Sequence, residues 1–228
     1  MRLTAKIVNR VEDTADVVTV SFTVNGRSLD HEAGQYITVY FDETDVKTGK
    51  AYSISTPPGL AYSSITVKRI GLFSGLIWDL MPGDEISISN PYGFFGAVGE
   101  KPIVAIAAGV GISPIWSIIQ SELDDDSDKS IRLLCSNKTD DDIVFRDSIE
   151  ALSAVQTHFK HEFFTTRQPD TVNVSRRITA SDIIDASAQD SQYYVCGSQD
   201  FVGSIWRQLT DAGLPQDSIS TETFFEAR

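Results

Sequence analysis

The sequence predicts two domains, an N-terminal antiparallel β-barrel over residues 1–98 and an α/β domain with a parallel sheet over residues 99–228. Three observations carry this expectation. Short β-branched segments broken by Gly and Pro crowd the first hundred residues, the pattern of a small barrel. The run Ile103-Val104-Ala105-Ile106-Ala107 is apolar without alternation, as in a strand buried on both faces of a parallel sheet. Beyond it, strand-like and helix-like segments alternate to the end of the chain.

In the first domain, β-branched stretches predict strands over residues 2–9, 17–23, 36–40, 51–54, 64–68 and 85–89, with Asn25-Gly26 as a hairpin turn. A short helix over 75–80 interrupts them and stops at Pro82-Gly83-Asp84. The boundary near residues 98–101 rests on the change of pattern, because no low-complexity linker or internal repeat marks it. In the second domain, strands are expected over 103–107, 131–135, 161–165, 192–195 and 218–223. Helices are expected from Ile115 and over 145–154, 181–184 and 201–209.

Composition excludes several classes. The net charge is −13, with −3 in residues 1–98 and −10 in residues 99–228, which argues against nonspecific nucleic-acid binding. No apolar run approaches 18 residues and the segment Met1 to Lys6 lacks a secretory apolar stretch, so a soluble cytoplasmic protein is expected. The two cysteines, Cys135 and Cys196, cannot form a zinc site or hold an iron–sulfur cluster, so a metal cluster would have to come from a partner. The acidic run at 124–128 lacks EF-hand spacing, and His31, His158 and His161 lack metal-ligand spacing. Neither Gly71 to Gly75 nor Gly111 to Ile115 has the Gly-x-Ser-x-Gly spacing of a hydrolase nucleophile.

The chemistry-bearing segments come next. Gly109-Val110-Gly111-Ile112-Ser113-Pro114 is a tight turn into a helix that Ser113 can cap and Pro114 can open, leaving N–H groups that suit a phosphate. Proline stands where the dehydrogenase fingerprint wants glycine or alanine, and the next strand ends Leu134-Cys135-Ser136-Asn137-Lys138 without an acid for a ribose hydroxyl. A phosphate-bearing cofactor held in another manner is the reading that follows. In Lys50-Ala51-Tyr52-Ser53, strand alternation puts Lys50 and Tyr52 on one side and Ser53 on the other. A planar ligand could stack on Tyr52 while Lys50 meets a phosphate; an edge strand with a surface lysine has the same sequence. The segment Lys68-Arg69-Ile70-Gly71-Leu72-Phe73-Ser74-Gly75 is a second anion candidate, and two such helix starts, one per half, imply a site between the halves. Arg176 and Arg177 read as solubilising residues, with partner docking as the alternative. Cys196-Gly197-Ser198 closes a strand at the carboxyl end, where open α/β sheets place ligands.

Taken in this order, and over nearly the whole chain, these segments resemble the ferredoxin–NADP reductase superfamily, in which a flavin-binding barrel precedes a nicotinamide-dinucleotide domain. The resemblance implies that Lys50-Ala51-Tyr52-Ser53 stands for that family's Arg-x-Tyr-Ser motif, with Tyr52 packed on the flavin and Ser53 near its reactive N5. Lys50 in place of arginine keeps the charge and loses the planar grip. Gly71 and Ser74 correspond to the pyrophosphate-binding Gly-x-x-Ser, with Lys68 close by. Asn90-Pro91-Tyr92-Gly93-Phe94-Phe95 corresponds to Gly-Pro-x-Gly-x-Phe, Gly93 being the retained glycine. Gly109, Gly111 and Pro114 match Gly-x-Gly-x-x-Pro. Thr166 and Arg167 stand where the family holds the adenosine 2′-phosphate, favouring NADPH over NADH. Cys196 and Gly197 lie beside the nicotinamide, Glu222 approaches the reacting centre, and the aromatic residues Phe224 and Phe225 screen the flavin. The implied activity is hydride transfer from NADPH or NADH to FAD, with FMN the lesser choice, and electron delivery to a ferredoxin or flavodoxin. Such a partner would dock on the barrel side near Lys50, Lys68 and Arg69. A reductase of free flavin or ferric chelates, and a non-catalytic subunit of a larger redox complex, are the alternatives.

Overall fold

The computed structural model describes residues 2–41, 49–96, 99–124 and 128–224. The first six strands, β1 (Leu3–Thr14), β2 (Val17–Thr23), β3 (Tyr36–Tyr40), β4 (Lys50–Ser53), β5 (Ser63–Lys68) and β6 (Glu85–Ile88), form an antiparallel sheet of order β4-β3-β6-β1-β2-β5. A bridge between Ile54 and Ile65 brings the end of β4 back to β5, so the sheet curls towards closure. Its interior is packed with Val18, Val20, Phe22, Ile37, Ile65 and Ile88, and the helix α1 (Leu72–Trp78) adds Phe73 and Ile77 to it.

The second sheet is parallel, order β11-β10-β7-β8-β9, from β7 (Ile103–Ala108), β8 (Ile131–Asn137), β9 (Phe159–Thr165), β10 (Gln192–Ser198) and β11 (Ile219–Phe224). Helices α2 (Ile112–Asp124), α3 (Arg146–Val155), α4 (Ala180–Ala186) and α5 (Gln199–Asp211) connect the strands. Central β7 is buried on both faces: Ile103, Ala105 and Ala107 join one core cluster, Val104 and Ile106 the other, which is why its sequence does not alternate. The chain adds β8 and β9 on one side of β7 and then returns to place β10 on the other. The carboxyl ends of β7 and β10 therefore form the crevice where open α/β sheets bind ligands.

The sheets are joined by packing and by hydrogen bonds. Val17 of β2 and Phe95 belong to the core cluster of the parallel sheet. Ser117 Oγ of α2 donates to Thr56 O at 2.7 Å, and Tyr194 Oη of β10 donates to Gly96 O at 3.3 Å. Among the described residues, no helix is long and apolar enough to cross a membrane.

Three local expectations are corrected. β1 runs on to Thr14, pairing with β2 throughout with the register shifting at Ile7/Asn9 and at Glu12/Thr14. α1 begins at Leu72, three residues before the expected 75, because Gly71 forms the extended N-cap and the Ser74 hydroxyl closes the turn. Ser113 is not a cap. Residues Gly109–Gly111 already form one 3₁₀ turn that continues into α2 at Ile112, so Ser113 lies within the helix and its hydroxyl donates back to Val110 O at 2.7 Å.

Gly34 has φ +87°, and a Cβ placed on it would lie 1.6 Å from Phe95 O, so the loop before β3 and the segment after β6 meet backbone to backbone. Gly34→Ala is expected to lower unfolding stability by roughly 3 kcal/mol in urea titration, through strain at a positive φ and displacement of Phe95. A loss below about 0.5 kcal/mol, the range of a neutral surface change, would contradict this packing.

Candidate active site

The last residue of β4 and the last strand of the parallel sheet meet between the two domains. Ser53 is 4 % exposed, and its Oγ donates to Glu222 Oε1 at 2.9 Å. Glu222 stands beside Cys196 in the parallel register of β11 with β10. Three elements distant in sequence thus place a hydroxyl, a carboxyl and a thiol together. Burial pushes the Glu222 carboxyl above its ordinary value, opposed by the Ser53 hydrogen bond. Burial first, and then the nearby Glu222 charge, push the Cys196 thiol well above its own. Cys196 is therefore a neutral S–H near neutral pH, suited to contact and positioning and not to nucleophilic attack. Cys135 is likewise buried, its thiol pushed up to about 11.

Beyond Ser53, the alternation of β4 turns Lys50 and Tyr52 the other way, towards α1. Tyr52 stacks on Phe73 with ring centroids 6.4 Å apart, and Lys50 Nζ lies 5.5 Å from the same ring. Burial raises the Tyr52 phenol above its usual range. Phe73 went unremarked in sequence, although it and Ile77 are four apart on one face of α1, the spacing of a buried helical pair. Ser74, expected to offer its hydroxyl to a pyrophosphate, has its Oγ accepting from Ile70 N and Gly71 N at 2.9 and 3.1 Å and donating to Gly71 O at 3.0 Å. The hydroxyl is engaged in shaping the turn, which leaves the first N–H groups of α1 as the donors there. Gly93, at φ +117°, is packed on the Tyr36 ring, where a Cβ would come within 3.0 Å.

The crevice at the sheet's carboxyl edge is a cleft of about 350 Å³. It gathers Lys68 from the barrel, Gly109 from the turn after β7, Thr166 and Arg167 from the end of β9, Gly197 from β10 and Phe224 from β11. Lys138 and Arg177 line it too, so the described lining carries four cations against Asp142, in a chain of net charge −13. Arg177, read from sequence as a solubilising residue, thus belongs to the cleft; the reach of the loop before α4 was not visible in its local pattern. Lys68 is held by Asp16 at 2.8 Å. Thr166 N and Oγ1 both donate to Asn137 O, at 3.0 and 3.2 Å, and Arg167 N donates to Lys138 O at 2.8 Å, which fixes the start of the β9 loop against the end of β8.

Glycine is required where the strands converge. A Cβ on Gly111 would lie 2.4 Å from Cys196 O, and one on Gly197 would lie 3.0 Å from Ala108 Cβ, so the start of α2 and the ends of β7 and β10 touch through bare backbone. Gly109 adopts φ +51°. Pro114 is buried in the first turn of α2; it donates no N–H to Val110 O, which accepts from the Ser113 hydroxyl, and it does not line the cleft. Phe225 lies outside the described residues. A larger hollow, about 560 Å³ beside Leu3, Arg27 and Asn90, contains none of the candidate residues and sits away from this chemistry.

The Glu222 environment fixes a pH dependence. A carboxyl whose folded pKa is raised binds its proton more tightly in the native state, so its contribution is favourable below the unfolded value and is lost as pH rises through the folded one. Glu222→Gln is therefore expected to gain stability relative to the parent as pH rises above the ordinary carboxylate range in urea unfolding. A stability difference that stays constant, or shrinks as pH rises, would contradict burial of this carboxyl.

Comparison with known proteins agrees with this geometry. The family described as the oxidoreductase NAD-binding domain matches residues 105–206. The flavohemoprotein of Bacillus subtilis is 31 % identical over 204 residues, which are 85 % of this chain and 51 % of that protein. The chain thus spans about half the length of that relative. The flavohem-like FAD/NAD binding domain of nitric oxide dioxygenase from Vibrio cholerae superposes with a TM-score of 0.87 at 23 % identity, over 97 % of this chain and 98 % of that one. The ferredoxin–NADP⁺ reductase of Plasmodium falciparum superposes with a TM-score of 0.82 at 17 % identity, over 98 % and 96 %. Residues 105–206 thus match an oxidoreductase NAD-binding domain, and with the antiparallel barrel ahead of it the chain has the fold of the FAD/NAD-binding reductase structures on which it superposes.

Proposed function

We propose that this chain oxidises NAD(P)H at a bound FAD and passes the electrons to a one-electron acceptor, with residues 1–98 as the flavin unit and 99–228 as the nucleotide unit. The observation that carries the reading is the Ser53–Glu222 hydrogen bond beside Cys196, which joins the two units at strands that go on to Gly197 and Phe224 in the lining of a cationic cleft. The residues suit both groups. Lys68, Lys138, Arg167 and Arg177 suit the phosphates of a dinucleotide, and the stacked Tyr52 and Phe73 beside Lys50 suit a planar ring system carrying a phosphate tail. A bound flavin supplies the hydride acceptor and the one-electron donor.

The side chains then divide the remaining work. Tyr52 supports the flavin ring and Lys50 its phosphate, while Gly71 and the opening N–H groups of α1 approach the pyrophosphate. Ser53 holds a hydroxyl at the reacting edge, and its bond to Glu222 fixes that hydroxyl's direction. Cys196, neutral and wholly buried, sets the wall against which the nicotinamide rests, with Gly197 giving it close access. Gly109 and Gly111 bring backbone up to the dinucleotide. Phe224 closes the cleft from β11 and excludes water. The donor is an intracellular metabolite, which fits the cytoplasmic setting expected from sequence.

For the acceptor, the flavohemoprotein relative favours a haem centre. The second reading, a ferredoxin or flavodoxin, is favoured by the Plasmodium falciparum enzyme, which matches this chain over 96 % of its own length. Anaerobic visible spectra test the whole: FAD-loaded protein should bleach on adding NADPH and recover its colour faster with a haem protein than with a ferredoxin. Protein that binds FAD yet oxidises neither nucleotide would point to a non-catalytic subunit, and recovery with free flavin or ferric chelate alone to the small-acceptor reductase. Because a guanidinium–phosphate contact is worth about 1.5 kcal/mol or more, Arg167→Ala should raise the KM for NADPH by about ten-fold and leave that for NADH nearly unchanged. Equal effects on both nucleotides would remove Arg167 from the 2′-phosphate.

A further inference from the structure

After β9 the chain leaves the sheet and then returns to the strand it left. Thr165 N donates to Val174 O at 2.9 Å, Val174 N to Phe163 O at 3.1 Å, and Ser175 Oγ to Gln168 O at 3.0 Å. The excursion begins with Thr166 and Arg167, and Arg177 follows it, so two of the four cations of the cleft flank this loop. Apolar packing does not order its tip: Val172 is 93 % exposed, and Pro169 and Asp170 are exposed as well.

One carboxylate from a different loop fills the interior of the excursion. Asp140 Oδ1 accepts from Thr171 Oγ1 and from Asn173 Nδ2, each at 2.7 Å. Its Oδ2 accepts from Gln168 Nε2 at 3.0 Å, and its own N–H donates to Gln168 Oε1 at 2.8 Å. Arg146 approaches Oδ1 at 3.9 Å. Asp140 is itself held in a turn where Thr139 N and Oγ1 donate to Asp142 Oδ2 at 2.9 and 2.6 Å. The Thr171 hydrogen bond above all, with Asn173, Arg146 and Gln168, keeps the Asp140 carboxyl below its ordinary value, so it is an anion wherever the protein works.

We propose that Asp140 is a positioning residue for the nucleotide: by drawing Gln168, Thr171 and Asn173 onto one carboxylate, it presets the loop that presents Thr166, Arg167 and Arg177 to the cleft. It does not line the cleft. Its effect is to order, before binding, a polar loop whose backbone and side chains the nucleotide would otherwise have to immobilise. The inference rests on reading the cleft as the nucleotide site, and it adds a residue outside every motif recognised in the sequence.

The test is steady-state NADPH oxidation by the FAD-loaded full chain with ferricyanide as acceptor. Asp140→Ala should raise the KM for NADPH by about ten-fold and keep kcat within about two-fold, since the reacting groups are untouched. Asp140→Asn retains an acceptor oxygen for Thr171 and Asn173 and should recover part of that loss. The double variant Thr171→Val with Asn173→Ala alters only the loop side and should reproduce the rise in KM, which decides the matter if Asp140→Ala does not fold. An unchanged KM in the double variant, or a fall in kcat at constant KM, would overturn the positioning role. Parent protein that binds neither nucleotide would overturn the functional reading itself, a result visible before any variant is made.

Discussion

The hydrogen bond from Ser53 to Glu222 is the constraint on which the arrangement of this molecule depends. It spans the chain from the fourth strand of the barrel to the last strand of the parallel sheet, and it needs both domains in place. Around it the molecule is built to close tolerances. Gly34 meets Phe95, and Gly111 meets the Cys196–Gly197 backbone, each at a distance that admits no side chain. Val17 and Phe95 of the N-terminal half fill the core of the other half. The joint between domains is therefore packed like an interior, and the hydroxyl, carboxyl and thiol gathered at it are held by rigid strands and not by loops.

The cleft beside that joint has a charge opposite to the rest of the chain. A surface carrying thirteen excess negative charges would repel a dinucleotide phosphate, and the local cluster of Lys68, Lys138, Arg167 and Arg177 offsets that repulsion where it matters. The excess charge is unevenly shared, −3 in residues 1–98 against −10 in residues 99–228, so the barrel half repels an acidic surface less.

Much of this was legible in the residues, for identifiable reasons. β7 could be read because burial on both faces removes alternation, and the turn after it because Gly109, at a positive φ, and Gly111, against the Cys196 backbone, each answer a backbone need. The segments around Ser53, Cys196 and Glu222 could be found singly, yet only the fold shows that β10 and β11 pair in the register that sets Cys196 beside Glu222. What could not be read depends on contacts remote in sequence. Ser74 looks the same whether its hydroxyl faces a ligand or its own turn, and Ser113 looks like a cap until a 3₁₀ turn starts the helix ahead of it. Arg177 and Asp140 act through loops that meet only in three dimensions, and nothing in their neighbours distinguishes them from solvated charges.

In the proposed reaction, hydride passes where Ser53, Cys196 and Glu222 converge. The most direct measurement is the single-turnover rate at which NADPH bleaches the FAD-loaded protein without oxygen, compared between the parent and Ser53→Ala. With the oxidised spectrum and FAD content unchanged, the rate should fall by about ten-fold or more, since a positioned hydroxyl at the reacting edge is lost. An unchanged rate in that variant would contradict the claim and move the reaction away from the joint between the domains.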